Sequence, residues 1–365
     1  MNQIQQLKIS TPGRVCLFGE HQDYLLLPVI PAAISLRISI EGERRKDAEI
    51  VLKLPDTHSR IQFSIAKNIE YVLDRDYFRS VFNVLREEGF TFSSGFNCTV
   101  KGTIPIRSGT SSSSALVVSW ANFLTRMSDQ AKELSPSDIA RIAHRAEVLE
   151  FEEPGGMMDQ YSTSLGGIIF LSFYPKISIK PIDVKMGDYV LGDSHSPKDT
   201  KGILSRVKNR IIQIAQKLSI HYPEFSLQTI QLLELDRFRK ELNNDEMELL
   251  EGTIRNRDIT IEALKLLETF PLNEKKFGAL LNDHQRILRD VLQISTPKID
   301  RMLDAALEVS ALGGKINGSG GGGCMFVYAP ENAGRISEAI EKAGGKAYIV
   351  HVDEGTRVES VIEQK

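Results

Sequence analysis

The chain has 365 residues, 41% hydrophobic and 25% charged, with a formal net charge of −3. That balance is ordinary for a globular protein and creates no field that would gather nucleic acid or anionic membrane, so any anion site must be local. Three widely spaced cysteines, Cys16, Cys98 and Cys324, read as free thiols and not as a disulfide framework or a zinc site.

The first ten residues are polar, and no apolar run approaches the roughly 18 residues a membrane span needs. A cytoplasmic location is expected by default. Residues 7–54 read as strands, Val15–Phe18 and Val29–Ile40 among them. Phe96–Lys101 alternates and predicts a strand running into a polar loop at 102–114. Ala115–Met127 predicts a buried helix. Ser137–Phe151 predicts another, with Ile139, Ile142, Ala143, Ala146 and Leu149 at helical spacing and Pro136 near its start. Pro154-Gly155-Gly156 stops it, and Ile168–Phe173 predicts a strand. From Lys201 to about Lys276 the chain is charged, Leu-rich and nearly glycine-free, which predicts several helices. Pro297–Leu312 predicts one more. A glycine cluster at 313–323, a strand at Cys324–Ala329, a helix at Asn332–Ala343 and a strand at Ala347–Val352 follow. The pattern breaks near 180–192, which divides the chain into domains at 1–185 and 186–365. Strands and helices without regular βαβ alternation give an α+β class.

Three loops carry candidate chemistry. Residues 102–116, GTIPIRSGTSSSSAL, run from a polar glycine-containing loop straight into an apolar helix. Helix-start N–H groups lack partners and the helix dipole favours negative charge there, so this is an anion site or, alternatively, a helix start capped by its own serines. Gly318-Ser-Gly-Gly-Gly-Gly323 is bare enough for backbone to approach a phosphate or another segment. It contains a formal G-x-G-x-x-G, but a strand-like run follows it where a dinucleotide fold needs a helix. Residues 12–24, PGRVCLFGEHQDY, bracket an apolar strand with Arg14 on one side and Glu20, His21 and Asp23 on the other. No G-x-x-x-x-G-K-[ST] occurs, which excludes a P-loop.

Together these loops resemble the GHMP superfamily of galactokinase, homoserine kinase, mevalonate kinase and phosphomevalonate kinase. Gly13 to Tyr24 is similar to the galactokinase signature G-R-V-N-L-I-G-E-H-T-D-Y. The serine loop resembles the family's phosphate loop, P-x-G-x-G-L-S-S-S-A. Gly155-Gly-Met-Met-Asp-Gln160 resembles C-G-I-M-D-Q, and residues 315–324 resemble M-T-G-G-G-F-G-G-C. The resemblance implies a two-domain fold with the active site between the domains. The N-terminal β/α domain would contain a left-handed-type crossover, and the C-terminal α/β domain would be ferredoxin-like. It implies ATP as phosphoryl donor, Mg²⁺ as cofactor and a small-molecule sugar as acceptor, phosphorylated at its anomeric C1 hydroxyl, with no nucleic-acid or membrane partner. It leaves the oligomeric state open. By matching position it makes Asp159 the catalytic base and Arg14 the cation beside it, keeping that carboxylate ionised. Glu20, His21 and Asp23 would bind sugar hydroxyls. Gly109, Ser111, Ser112, Ser113, Ser114, Gly318 and Gly320 would hold ATP phosphates. Ser113 and Glu147, the latter twelve residues before Asp159, would hold the metal.

The sequence also departs from galactokinases. Leu25, Leu26 and Leu27 stand where glycines are usual, Arg107 replaces a phosphate-loop glycine, and Asn317 replaces a threonine. Residues 197–201 and 207–210 look more like mevalonate kinase, which keeps a non-sugar alcohol open as acceptor. A third reading, a catalytically inactive ATP and sugar sensor, would predict loss of Ser113, Glu147 or Asp159, and all three are present. Arg206 aligns loosely with a sugar-side tyrosine and suggests an anionic sugar, or else a solvated helix face.

Overall fold

The computed structural model describes residues 4–66, 69–106, 109–197 and 200–363. Arg107, and Lys198 and Asp199 of the segment at 197–201, lie outside the described residues. The first part of the chain gives β1 (Ile4–Phe18), β2 (Ile30–Arg44), β3 (Glu49–Leu54), β4 (Ser59–Ser64), α1 (Tyr77–Glu87), β5 (Phe96–Gly102), α2 (Ser112–Met127), α3 (Pro136–His144), α4 (Met158–Leu165), β6 (Ile168–Ser172) and β7 (Ser178–Ile182). The second gives β8 (Tyr189–Asp193), α5 (Thr200–His221), α6 (Asn244–Leu267), α7 (Glu274–Arg286), α8 (Pro297–Glu308), β9 (Gly313–Ile316), β10 (Cys324–Tyr328), α9 (Ala333–Lys342), β11 (Lys346–Val350) and β12 (Arg357–Glu363).

The strands form two sheets. The larger runs β12-β1-β2-β5-β3-β4, with β6 on β2 and β7 on β6; the smaller runs β11-β8-β10-β9. Every pair in the smaller sheet is antiparallel. Its order, with helices between β8 and β9 and between β10 and β11, is that of a ferredoxin-like unit, as expected. In the larger sheet β3 and β5 are parallel, so the chain crosses over between them through β4 and α1. We propose the domain division where the strands change sheet, between Ile182 and Tyr189. The last strand was not foreseen. It returns to the larger sheet and pairs with β1, Leu7 opposite Val361. Arg37 fastens this return, donating to Ser10 Oγ (2.8 Å), Asp353 Oδ2 (2.7 Å) and the Gly355 carbonyl (2.7 Å).

Packing follows side-chain chemistry. Helix α2 buries twelve of its sixteen residues, and Trp120 and Phe123 share a core with Ile9, Ile40 and Phe96 of the larger sheet. A separate cluster joins the sheets: Val15, Leu17 and Phe18 of β1 pack with Tyr189, Phe326 and Tyr328 of the smaller one. Phe18 and Phe277 meet edge to face with centroids 5.6 Å apart. Each such buried side chain contributes on the order of 1.5–3 kcal/mol. This shared core fixes the polar end of β1 against the loop between β9 and β10, and the candidate site lies there. Among the described residues no helix is long and apolar enough to cross a membrane.

Candidate active site

A cavity of about 760 Å³ is lined by residues of all three loops. Its floor is the start of α2. That helix begins three residues before its apolar run, so Ser112–Ser114 are its first turn. Ser111 precedes it with φ 58° and makes no side-chain capping bond. Its hydroxyl is buried without a hydrogen-bond partner. The self-capped helix start is therefore not the one that forms. First-turn N–H groups without a side-chain cap, next to an unspent hydroxyl, are what an anion needs.

Glu147 reaches the same cavity through a local change of helix geometry. The predicted helix at 137–151 is α-helical only to His144; Arg145–Leu149 widen into a π turn that carries Glu147. Such turns recur at functional sites because they redirect one side chain. Glu147 is buried, and its carboxylate accepts from Gln160 Nε2 at 2.7 Å. Burial pushes its pKa up, against hydrogen bonds from Ser113, Gln160 and Ser114. The amide oxygen of Gln160, Oε1, is buried and has no hydrogen-bond partner.

Asp159 sits in the first turn of α4. Arg14 donates to Asp159 Oδ1 from Nε (2.8 Å) and Nη2 (2.7 Å), and to the Gly109 carbonyl from Nη1 (2.5 Å). The Arg14 side chain is 4% exposed and that of Asp159 31%, so the pair is closed on one side and open to the cavity on the other. Burial works against the Arg14 charge, but the attraction of Asp159 and Glu20 outweighs it and its pKa is raised.

The residues expected to bind sugar hydroxyls separate into two kinds. Asp23 lines the cavity, with Oδ1 accepting from the Tyr24 N–H (3.0 Å) and Oδ2 from the Met158 N–H (3.2 Å). Burial, with the charge of Asp159 next, raises its pKa to about 6. A Cβ on Gly156 would fall 2.2 Å from Asp23 Oδ2, so only glycine fits beside this carboxylate. Glu20 and His21 also line the cavity, but their polar atoms are engaged by the protein. Glu20 is 1% exposed; its Oε2 pairs with Lys315 Nζ and its Oε1 accepts the Gly318 N–H at 2.8 Å. His21 Nε2 is 3.1 Å from the Ser319 carbonyl and Nδ1 2.7 Å from the Tyr24 hydroxyl. A carbonyl can only accept, so Nε2 carries the proton and Tyr24 donates to Nδ1. Burial lowers the His21 pKa to about 4, so the ring is neutral. Both side chains spend their polar atoms inside the protein, because the glycine loop lies against them.

The same contacts change the reading of the glycine loop. Gly318 lines the cavity, but its N–H is committed to Glu20 and is not open to a phosphate. Gly320 packs on Ile294, whose Cβ would lie 2.5 Å from an added Cβ. Its glycine is demanded by protein contact. Arg206 donates from Nη2 to the Leu292 and Gln293 carbonyls at 3.2 Å each and is not among the residues lining the cavity. Sequence reading missed Lys315, Asn317 and Gln160, which touch site residues across long chain separations. Only their place inside motifs could have pointed to them.

Family comparisons agree with this geometry. The GHMP kinases N-terminal domain model matches residues 76–167, the GHMP kinases C-terminal model residues 261–346, and the galactokinase galactose-binding signature residues 4–44. These segments cover more than half of the chain. It belongs to the GHMP kinases, and is an ATP-dependent small-molecule kinase with an alcohol acceptor. Mevalonate kinase of Pyrococcus furiosus is 28% identical over 97% of this chain and 98% of its own. Galactokinase of Mannheimia succiniciproducens is 26% identical over 90% of this chain and 86% of its own. The structure of Lactococcus lactis galactokinase complexed with galactose superposes with a TM-score of 0.86 at 21% identity, covering 96% of this chain and 95% of that one.

Proposed function

We propose that the protein transfers the γ-phosphoryl group of ATP to a sugar hydroxyl, the anomeric C1 hydroxyl, with Asp159 as base. The observation that carries this reading is the Arg14–Asp159 pair facing the same cavity as the uncapped start of α2. The acceptor oxygen forms a bond to the γ-phosphorus, its proton goes to Asp159, and the bond to the ADP oxygen breaks. Phosphoryl transfer asks mainly for position and charge stabilisation. The N–H groups of Ser112–Ser114 supply fixed positive ends for the phosphates. Ile38, Leu54, Val100, Ile104 and Leu116 line the same cavity and offer an apolar surface to the adenine ring of ATP.

The donor set fits Mg²⁺. Glu147 and Ser113 are hard oxygen ligands, and no cluster of three His, Cys, Asp or Glu occurs among the described residues, so phosphates and water would complete the shell. Held by Glu147 and Ser113, the ion would supply positive charge to the ATP phosphates. Glu147→Gln is therefore expected to raise the Mg²⁺ concentration needed for half-maximal rate, read as ADP release against added Mg²⁺. A titration superimposable on wild type would remove Glu147 from the ligand set.

A sugar acceptor is supported by the match to the galactose-binding signature and by Asp23 at the cavity wall. A specific observation favours the second reading, a mevalonate-like alcohol: Glu20 and His21 are spent internally, leaving fewer fixed partners for a polyhydroxylated ligand. A panel of galactose, other monosaccharides and mevalonate with Mg-ATP, read by ADP release, separates the two. Turnover on mevalonate alone would overturn the sugar reading.

Asp23 adds a pH prediction. An acceptor hydroxyl needs the ionised carboxylate, and Asp23 holds its proton up to about pH 6. As pH falls through 6 the carboxylate is lost, so kcat/KM for the acceptor should fall with it. His21, with a pKa of about 4, adds no limb in this range. Asp23→Asn should lower kcat/KM and flatten the limb near pH 6. An unchanged limb would assign it to another group.

A further inference from the structure

Three backbone segments cross at their closest approach behind the Arg14–Asp159 pair. Gly13 of β1 passes the Thr110 carbonyl, 2.8 Å from where its Cβ would be, and Gly318 passes the Gly109 carbonyl at the same distance. The Arg14 N–H donates to the Thr110 carbonyl at 3.1 Å. Asn317 lies at this crossing and is 0% exposed. Its Oδ1 accepts the Cys16 N–H at 2.9 Å and its Nδ2 donates to the Gly109 carbonyl at 2.8 Å. Nδ2 is also 3.5 Å from the Arg14 carbonyl.

The Gly109 carbonyl thus receives two donors, Asn317 Nδ2 and Arg14 Nη1, which use both of its lone pairs. That fixes the peptide plane two residues ahead of Ser111, where the chain turns into α2. It also fixes the guanidinium whose other nitrogens hold Asp159. We propose that Asn317 is a positioning residue for phosphoryl transfer: through the Gly109 carbonyl it locks the glycine loop of the smaller sheet onto the phosphate loop and onto Arg14. The primary amide suits this task because it offers a donor and an acceptor in one plane. A threonine hydroxyl is shorter but keeps one donor for the Gly109 carbonyl, which a valine lacks. The inference rests on the phosphoryl-transfer reading above.

The test compares Asn317→Thr with Asn317→Val, which fill the same volume and differ by one hydroxyl. With the acceptor found active in the panel, Asn317→Val should lower kcat by about 10–100-fold and weaken Mg-ATP binding by about five-fold, while Asn317→Thr stays within about five-fold of wild type in kcat. Equal rates for the two variants, or a valine variant at wild-type rate, would overturn the proposal. Asn317→Ala replaces the valine variant if that one does not fold. Action through Arg14 predicts non-additivity: Asn317→Val with Arg14→Ala should be no more than about two-fold slower than Arg14→Ala alone. Full additivity would overturn the coupling. If no acceptor of the panel increases ADP release by the wild type, the transfer reading has failed, and Mg-ATP affinity decides separately. Weaker binding in the valine variant than in the threonine variant supports the role of Asn317, and equal binding removes it.

Discussion

Asp159→Asn is expected to leave Mg-ATP affinity nearly intact and to lower kcat by about two to four powers of ten, the range for a positioned acid–base group. The amide keeps the shape of the side chain and can still accept from Arg14, so the fold around α4 should hold. What it loses is the ability to take the acceptor proton and the charge that balances a buried guanidinium. The loss should appear in kcat and not in the nucleotide dissociation constant, because the start of α2 is the proposed phosphate seat. Single-turnover rates with bound ATP separate the chemical step from release. A variant retaining more than about half of the wild-type turnover would remove Asp159 from the base role.

The sequence showed much of this arrangement, and the structure shows why the rest was hidden. Loop-to-helix contrast located the uncapped helix start proposed to hold the phosphates, but it placed that start at Ala115, because serines read as loop until tertiary contacts take them into the first turn. The helical period through Ile139 and Leu149 was right in outline and silent about the π turn at 145–149, since a single widened turn barely alters spacing. Helix α1 and strand β12 escaped the pattern altogether. The outer face of β12 is exposed, and its place is set by β1, some 350 residues away in sequence. Arg14 and Asp159 could be paired only by resemblance, because 145 residues separate them. Glu20 shows the opposite limit. A charged residue between an apolar strand and a polar turn has the sequence signature of a binding group, and nothing local reveals that Lys315 will neutralise it in the core.

Breaking that buried pair should have the largest effect on stability. Lys315 is 0% exposed and Glu20 1%, so solvent screens neither charge. Lys315 Nζ also donates to the Ile316 carbonyl at 3.1 Å and lies 5.1 Å from the Phe326 ring centroid. Lys315→Met keeps the length of the side chain and strands the Glu20 carboxylate, a change that costs about 3–5 kcal/mol for a buried ion pair broken on one side. Replacing both partners removes the charge imbalance, so Glu20→Leu with Lys315→Met should recover most of the stability measured by the denaturant midpoint. Activity should not return with it. Glu20 Oε1 is the acceptor for the Gly318 N–H, and leucine leaves that donor unpaired beside the phosphate loop. The double variant is thus expected to fold like wild type and to turn over at least about ten-fold more slowly. If stability and rate recover together, the pair serves packing alone and the glycine loop finds its place without it.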